Sequence, residues 1–154
     1  MIRARMLKRD YDNQNCSIAR TLEVVGERWT LLIVRDALAG LHRFEEFQES
    51  LGIARNVLTE RLNRLVEDGV LERVRYCERP ERYEYVLTDK GRDLNVALMS
   101  LMQWGDRYGG NPPPFVLRRK SDKTRVVAAL VPKDAEILAG DEVESVPGPG
   151  LKSR

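Results

Sequence analysis

The chain has 154 residues, of which 42% are hydrophobic, and this length and composition suit one ordinary domain with a real core. Its 26 basic and 24 acidic residues leave a net charge of +2, which excludes a binder that relies on bulk positive charge alone. With two cysteines and one histidine, neither a disulfide framework nor a structural zinc site is expected, and we expect no metal and no cofactor.

The amino-terminal segment, residues 1–15, is a polar arm without the apolar core of a signal peptide. No apolar run approaches the ~18 residues that a membrane span needs. Together with the small number of cysteines, these features predict a cytoplasmic protein with no membrane partner. Apolar spacing then predicts one helix over residues 17–25 and a second, apolar nearly all round, over residues 29–38.

Two helices joined by a glycine follow. Phe44, Phe47 and Leu51 mark a short third helix, and Gly52 leads into a fourth helix over residues 54–68. The inward face of the fourth helix is expected to carry four apolar residues: Leu58, Leu62, Leu65 and Val66. Two short helices joined by a glycine-containing turn indicate a helix-turn-helix.

A β-hairpin is predicted directly after the fourth helix. Residues 71–77 and 82–87 alternate between apolar and polar side chains, and residues 78–81 form the turn between them. The side chains expected to point inward from the second strand are Tyr83, Tyr85 and Leu87. A hairpin in this position is a wing.

One long helix is predicted from an N-cap at Thr88 to about residue 108. Its apolar stripe is wider than one small domain needs to cover, so a second copy of the chain is expected to pack there. The predicted interface consists of Leu94, Leu98, Leu101, Met102 and Trp104. A glycine- and proline-rich break follows, then short strands over residues 115–117, 125–131 and 143–146, and an end expected to be disordered from Pro147 onward.

Several stretches of the sequence resemble the HxlR-type transcriptional regulators. They are Cys16-Ser17-Ile18-Ala19, Val24-Val25-Gly26-Glu27-Arg28-Trp29-Thr30-Leu31-Leu32-Ile33, Arg43-Phe44-Glu45-Glu46-Phe47, Gly52-Ile53-Ala54-Arg55-Asn56-Val57-Leu58-Thr59-Glu60-Arg61-Leu62, Leu87-Thr88-Asp89-Lys90-Gly91 and Trp104-Gly105. The resemblance, which covers residues 14–108, implies a winged-helix repressor or activator, distantly similar to MarR-type proteins, that binds DNA as a dimer. Ala54 stands where the family often has a capping serine. The extension also lacks the paired cysteines that some members carry, so no metal is carried over.

The expected fold class is therefore α+β, mainly α: a winged helix-turn-helix with a long C-terminal dimerisation helix and a small β-rich appendage. The expected parts are an arm (residues 1–15), a DNA-binding and dimerisation domain (residues 16–108) and an extension (residues 109–154). The common enzyme motifs for nucleotides, metals and nucleophilic serines are missing from the sequence, so no enzyme is expected.

The face of the fourth helix opposite its leucines is polar. A step of about 100° per residue places Asn56, Glu60 and Asn63 on that face, and Arg55, Thr59 and Arg64 flank it. Asparagine pairs with adenine, arginine with guanine, and threonine can meet a thymine methyl or a phosphate. The face, taken with the resemblance, predicts a helix that reads the major groove of double-stranded DNA. The residues alone also allow an ordinary solvated helix face.

Arginines also mark the wing and the start of the third helix. Arg79 and Arg82, at the hairpin turn, suit the minor groove or the DNA backbone, although neighbouring glutamates offer cross-strand pairing instead. Arg43 precedes the third helix, where a cation opposes the helix dipole. A DNA phosphate or a carboxylate such as Glu46 would each offset that cost, and the sequence leaves both open.

Cys16 directly precedes the first helix, where free N–H groups and the helix dipole favour a thiolate. Some members of the family use a cysteine at the matching position as a stress sensor, so the resemblance makes Cys16 a candidate thiol sensor for an oxidant or small-molecule inducer. The alternative is a cysteine that serves only as a small buried hydrophobe. For the whole chain, the expected function is binding to an inverted-repeat operator, and the alternative is a winged-helix protein-interaction module without DNA binding.

Overall fold

A computed structural model describes residue 11 and residues 14–151 of the chain. Contacts divide the chain into two compact units, Met1–Arg92 and Asp93–Arg154. The mixed α+β architecture that the sequence predicts is confirmed. Most of the expected polar arm and the last three residues lie outside the described part of the chain. The described residues contain no helix long and apolar enough to cross a membrane.

Four helices form most of the first unit: α1 (Ser17–Val25), α2 (Thr30–Leu38), α3 (Phe44–Leu51) and α4 (Arg55–Glu67). The helical spacing selected the side chains of their core correctly, because Ile33, Phe47 and the three leucines of α4 are fully buried. Burying each such side chain contributes about 1.5–3 kcal/mol. Val66 of α4 is the exception, since it is only half-buried.

The turn between α3 and α4 depends on Gly52. Its φ of 60° and ψ of 28° lie in the left-handed region, which a glycine adopts without steric cost. Its N–H donates to the carbonyl of Gln48 at 3.0 Å, and the next residue, Ile53, is buried. This turn and the two helices that it joins form the helix-turn-helix.

The wing is an antiparallel hairpin of β1 (Leu71–Glu78) and β2 (Glu81–Leu87). Its register pairs Leu71 with Leu87 and Arg75 with Tyr83, and shifts at a bulge between Arg75 and Cys77. Of the residues expected to point inward, Leu87 is buried and the two tyrosines are half-buried. The N–H of Tyr85 donates to the carbonyl of His42 at 2.7 Å, which ties the wing to the segment before α3.

The helix expected from Thr88 to residue 108 is two helices, α5 (Asp89–Arg92) and α6 (Leu94–Tyr108). Thr88 does cap the first of them, because its Oγ accepts the N–H of Gly91 at 3.1 Å. Gly91 is buried against the wing, where a Cβ would lie 2.3 Å from the carbonyl oxygen of Val70. Glycine and aspartate also have low helix propensity, and the break falls at Asp93.

The second unit contains α6 and an antiparallel pair of strands, β3 (Phe115–Arg119) and β4 (Val143–Pro147). The strand expected over residues 125–131 does not form, and only Arg125 makes an isolated bridge to β3. Residues 147–150 were expected to be disordered, but they pair with the proline run. The N–H of Gly148 donates to Pro114 at 2.8 Å, and that of Gly150 to Pro113 at 2.9 Å, since proline lacks a donor but keeps its acceptor.

Candidate nucleic-acid interface

The outward face of α4 carries the polar residues that the sequence analysis placed there. Because Leu58, Leu62 and Leu65 are fully buried, the helix turns its other side to solvent. The exposed residues include all the predicted contacts of this helix: Arg55, Asn56, Thr59, Asn63 and Arg64. Two asparagines and a threonine on one helical face offer donors and acceptors suited to base edges in a major groove.

The amino-terminal end of α4 is electropositive. Ala54 occupies the N-cap, no side chain caps the helix, and its first turn holds no acidic residue. The guanidinium of Arg55 lies over the ring of Phe44, 4.7 Å from the centroid. Uncapped N–H groups beside a cation attract an anion, and a phosphate is the anion that DNA supplies.

Two of the predicted contacts on α4 are partly engaged within the chain. The Nε of Arg64 lies 3.0 Å from Asp68 Oδ2, and its Nη1 lies 3.9 Å from Glu67 Oε2. The hydroxyl of Thr59 donates to the carbonyl of Arg55 at 2.9 Å, which leaves its methyl group and its acceptor capacity. Arg64 therefore carries less uncompensated charge than the sequence suggested.

Arg43 pairs with the wing and not with Glu46. Its Nε lies 3.3 Å from Glu84 Oε1 and its guanidinium lies 4.8 Å from the centroid of Tyr76, and the hydrogen bond to Glu84 raises the pKa of Arg43. The Glu46 carboxylate instead accepts the N–H groups of Arg43 and His42, each at 2.8 Å, and these bonds lower the pKa of Glu46. Arg43 thus fastens the start of α3 to the wing.

The wing carries a separate basic end. Arg75 forms ion pairs with the nearby carboxylates: its Nη2 lies 3.6 Å from Glu78 Oε1 and its Nη1 lies 3.5 Å from Glu81 Oε1. Arg79 and Arg82 have no carboxylate partner among residue 11 and residues 14–151, and both are exposed. The glutamates that the sequence offered as cross-strand partners therefore pair elsewhere, and these two arginines remain available to a phosphate or a narrow groove.

Arg61 is a positioning residue that the sequence analysis missed. Its Nη2 lies 3.1 Å from Glu27 Oε2, and its Nε donates to the carbonyl of Arg28 at 3.3 Å. The side chain is mostly buried and joins α4 to the turn between α1 and α2. The one available signal was its place between the buried leucines and the outward face of the helix.

Both cysteines are half-buried free thiols. Cys16 occupies the N-cap of α1, where no side chain caps the helix, and its carbonyl accepts the N–H of Arg20 at 3.1 Å. The guanidinium of Arg20 donates to the hydroxyl of Ser17 at 3.0 Å. The guanidinium of Arg20 is therefore engaged with the hydroxyl of Ser17.

The predicted interface residues of α6 fall into two groups. Leu101 and Trp104 are 53% and 67% exposed, and the Trp104 ring lies 5.3 Å from that of Tyr108. Leu94, Leu98 and Met102 are half-buried. Of the 15 residues of α6, all of them described, none is buried.

A helix-turn-helix followed directly by a two-stranded wing defines the winged-helix class of transcription regulators. Within that class, the model of the HxlR-like helix-turn-helix family matches residues 24–112. The chain belongs to this family.

Individual relatives agree with the assignment. An HTH-type transcriptional regulator of Mycobacterium tuberculosis is 45% identical over 141 residues, which cover 90% of this chain and 89% of that one. Among solved structures, the transcription factor PA1607 matches with a TM-score of 0.68 and 43% identity over 83% of this chain and 92% of its own. The redox regulator HypR, in its reduced form, matches with a TM-score of 0.58 and 30% identity over 62% of this chain and 95% of its own.

Proposed function

We propose that this transcriptional regulator acts as a homodimer on an inverted-repeat operator, with α4 in the major groove and the wing on the minor groove or the DNA backbone. The observation that carries the proposal is the polar, exposed row of Asn56, Thr59 and Asn63 on α4. Side chains of these types specify bases, whereas phosphate contacts only position the protein.

The charge distribution supports the same orientation. Arg55 lies at one end of α4, and Arg79 and Arg82 lie at the tip of the wing, without carboxylate partners in the described part of the chain. A net charge of +2 is compatible with DNA binding, because what matters is the local charge of α4 and of the wing tip. A protein-interaction module would favour an apolar or acidic face on α4, and that face is polar.

The state of α6 supports the homodimer. A 15-residue helix with no buried residue and with exposed Leu101 and Trp104 leaves an apolar face that a second copy would cover. The proposed interface comprises Leu94, Leu98, Leu101, Met102 and Trp104. A two-fold dimer reads two half-sites related by inversion, separated by about one helical turn of DNA or a small multiple of it.

Selection of bound duplexes from genomic fragments, followed by fluorescence anisotropy, tests the proposal. The recovered sites are expected to share an inverted repeat and to bind at least about 1000-fold more tightly than random duplexes of equal length. Equal affinity for selected and random duplexes would exclude sequence-specific binding. The position of the sites relative to promoters would then indicate activation or repression.

A second role is proposed for Cys16, as a thiol that alters operator binding when an oxidant modifies it. It is supported by its place at an uncapped helix start and by the likeness to a protein described as a redox regulator. Mild peroxide treatment is expected to change operator affinity in the wild type and in Cys77→Ser but not in Cys16→Ser. The matched cysteine variants decide the question. An equal change in operator affinity in Cys16→Ser and Cys77→Ser would leave Cys16 a packing residue.

A further inference from the structure

The extension beyond α6 exposes an uncharged apolar segment. Residues 126–132, Val-Val-Ala-Ala-Leu-Val-Pro, hold no charge in a chain of which 32% of the residues are charged. Val127 is 76% exposed, Leu130 is fully exposed and Ile137 is 70% exposed. Isolated apolar side chains on a surface are ordinary, but a run of this kind marks an interaction site.

This segment is held in place by the rest of its own unit. The side-chain amide of Gln103 donates to the carbonyl of Ala128, and its oxygen accepts the N–H of Ala128, both at 2.8 Å. At the start of the segment, the N–H of Val126 donates to the carbonyl of Leu117 at 3.1 Å. The backbone at Ala128 is thereby anchored to α6, while Val127 and Leu130 remain exposed.

The chemistry of the segment selects its occupant. The segment offers no lysine, arginine or hydroxyl side chain, the groups that supply most contacts to DNA phosphates. The depletion of charge is typical of the fully buried core of an interface between proteins. The segment also lies in the same unit as α6, the helix whose exposed apolar face supports the homodimer, and Gln103, which anchors it, adjoins Trp104.

The area needed by a stable dimer decides between a second copy and an unrelated partner. Four apolar residues of α6 together expose on the order of 500 Å², which is less than the ~800 Å² per partner of a standard interface. These residues are Val96, Leu101, Trp104 and Tyr108. The extension exposes roughly as much again, through Val127, Leu130, Val131 and Ile137. Together the two surfaces reach the required area.

We propose that the apolar segment of the extension, residues 126–132, packs against a second copy of this chain and completes the dimer interface begun by α6. The inference rests on the proposed homodimer and adds to it a surface that lies beyond the HxlR-like region at residues 24–112. The extension thereby adds specificity of self-association, because a relative without it would offer only the α6 face.

Sedimentation velocity over a range of protein concentrations tests this interface, with full-length variants Leu130→Ser and Val127→Ser. Both side chains are exposed in the single chain, so their replacement leaves its fold intact. Each variant is expected to raise the dimer Kd at least about tenfold, given the area of one buried side chain. Lys133→Ser, an exposed polar position directly after the segment, is the matched control and should change the dimer Kd less than about twofold.

The remaining outcomes each overturn the inference, in distinguishable ways. A wild-type dimer whose Kd is unchanged in Leu130→Ser and Val127→Ser would remove the extension from the interface and leave the α6 homodimer standing. A wild type that is monomeric at all concentrations would remove both. A fall in melting temperature without any change in the dimer Kd would show that the segment packs within its own chain.

Discussion

At the residue scale, Arg61 explains how a strained turn is held. Trp29, which begins α2, has a φ of 78°, a left-handed conformation that is unfavourable for a bulky side chain. The two residues before it are the ones that Arg61 binds, through the Glu27 carboxylate and the Arg28 carbonyl. The bonds from Arg61 on α4 therefore hold the residues that precede this strained position.

Replacing Arg61 is therefore expected to cost more stability than replacing a neighbouring arginine. Arg61→Ala should lower the free energy of unfolding by about 1–2 kcal/mol, because it removes a side chain that is only 16% exposed together with its bonds to Glu27 and Arg28. Arg64→Ala is the control, since the Arg64 side chain is 55% exposed, and should cost less than about 1 kcal/mol. Urea unfolding measures both, and equal losses would show that Arg61 is an ordinary surface residue.

Gly91 is fixed by a close approach of two backbones. A Cβ there would lie 2.3 Å from the Val70 carbonyl oxygen and 2.7 Å from Leu87 Cδ2. Gly91→Ala should therefore shift α5 away from the wing and lower the free energy of unfolding by about 1–3 kcal/mol. Asp89→Ala, on the exposed side of the same short helix, should cost less than about 1 kcal/mol. A thermally stable Gly91→Ala protein would contradict this account of the contact.

At the element scale, α4 and the wing are expected to contribute differently to binding. Asn56→Ala should cost about 1–3 kcal/mol on the preferred operator and relax the choice of base at one position. Arg79→Ala should weaken binding to all duplexes alike and lower the slope of log Kd against log salt by about 1. Anisotropy titrations at several salt concentrations separate the two, and a uniform effect of Asn56→Ala across sequences would remove α4 from base reading.

The elements differ in how far the sequence could predict them. Helical spacing predicted α1 to α4 and their buried leucines because periodicity and burial are the same property of a helix. The break at Asp93 could not be predicted in this way, since the apolar pattern continues across it. Residues 125–131 had the composition of a strand, but a strand also needs a hydrogen-bonded partner. Only Arg125 and Val126 of this stretch pair with β3.

The site shows the same division between local pattern and tertiary contact. The exposed face of α4 follows from a 100° step per residue, so Asn56 and Asn63 could be placed from sequence. The pairing of Arg43 with Glu84 could not, because 41 positions separate the two residues and Glu46 is nearer in sequence. Arg61 was overlooked for the same reason, since Glu27 lies in the turn between α1 and α2, 34 positions away in the sequence.

At the scale of the whole molecule, the proposed dimer requires two copies of α4 that meet the same face of the DNA. A two-fold dimer fixes the distance between its recognition helices, so it also fixes the spacing between half-sites. Adding half a helical turn between the half-sites would rotate one of them to the opposite side of the duplex. Adding a full turn would restore the face but lengthen the separation.

Anisotropy titration should compare the selected operator with the same operator carrying about 5 added base pairs, half a turn of DNA, between its half-sites. A two-fold dimer should bind the lengthened operator at least about 100-fold more weakly, with an affinity close to that for a duplex with one half-site. The wild type and Arg64→Ala should behave alike, because Arg64 is paired within the chain. Equal affinity for the operator with and without the insertion would contradict a two-fold dimer that reads both half-sites at once.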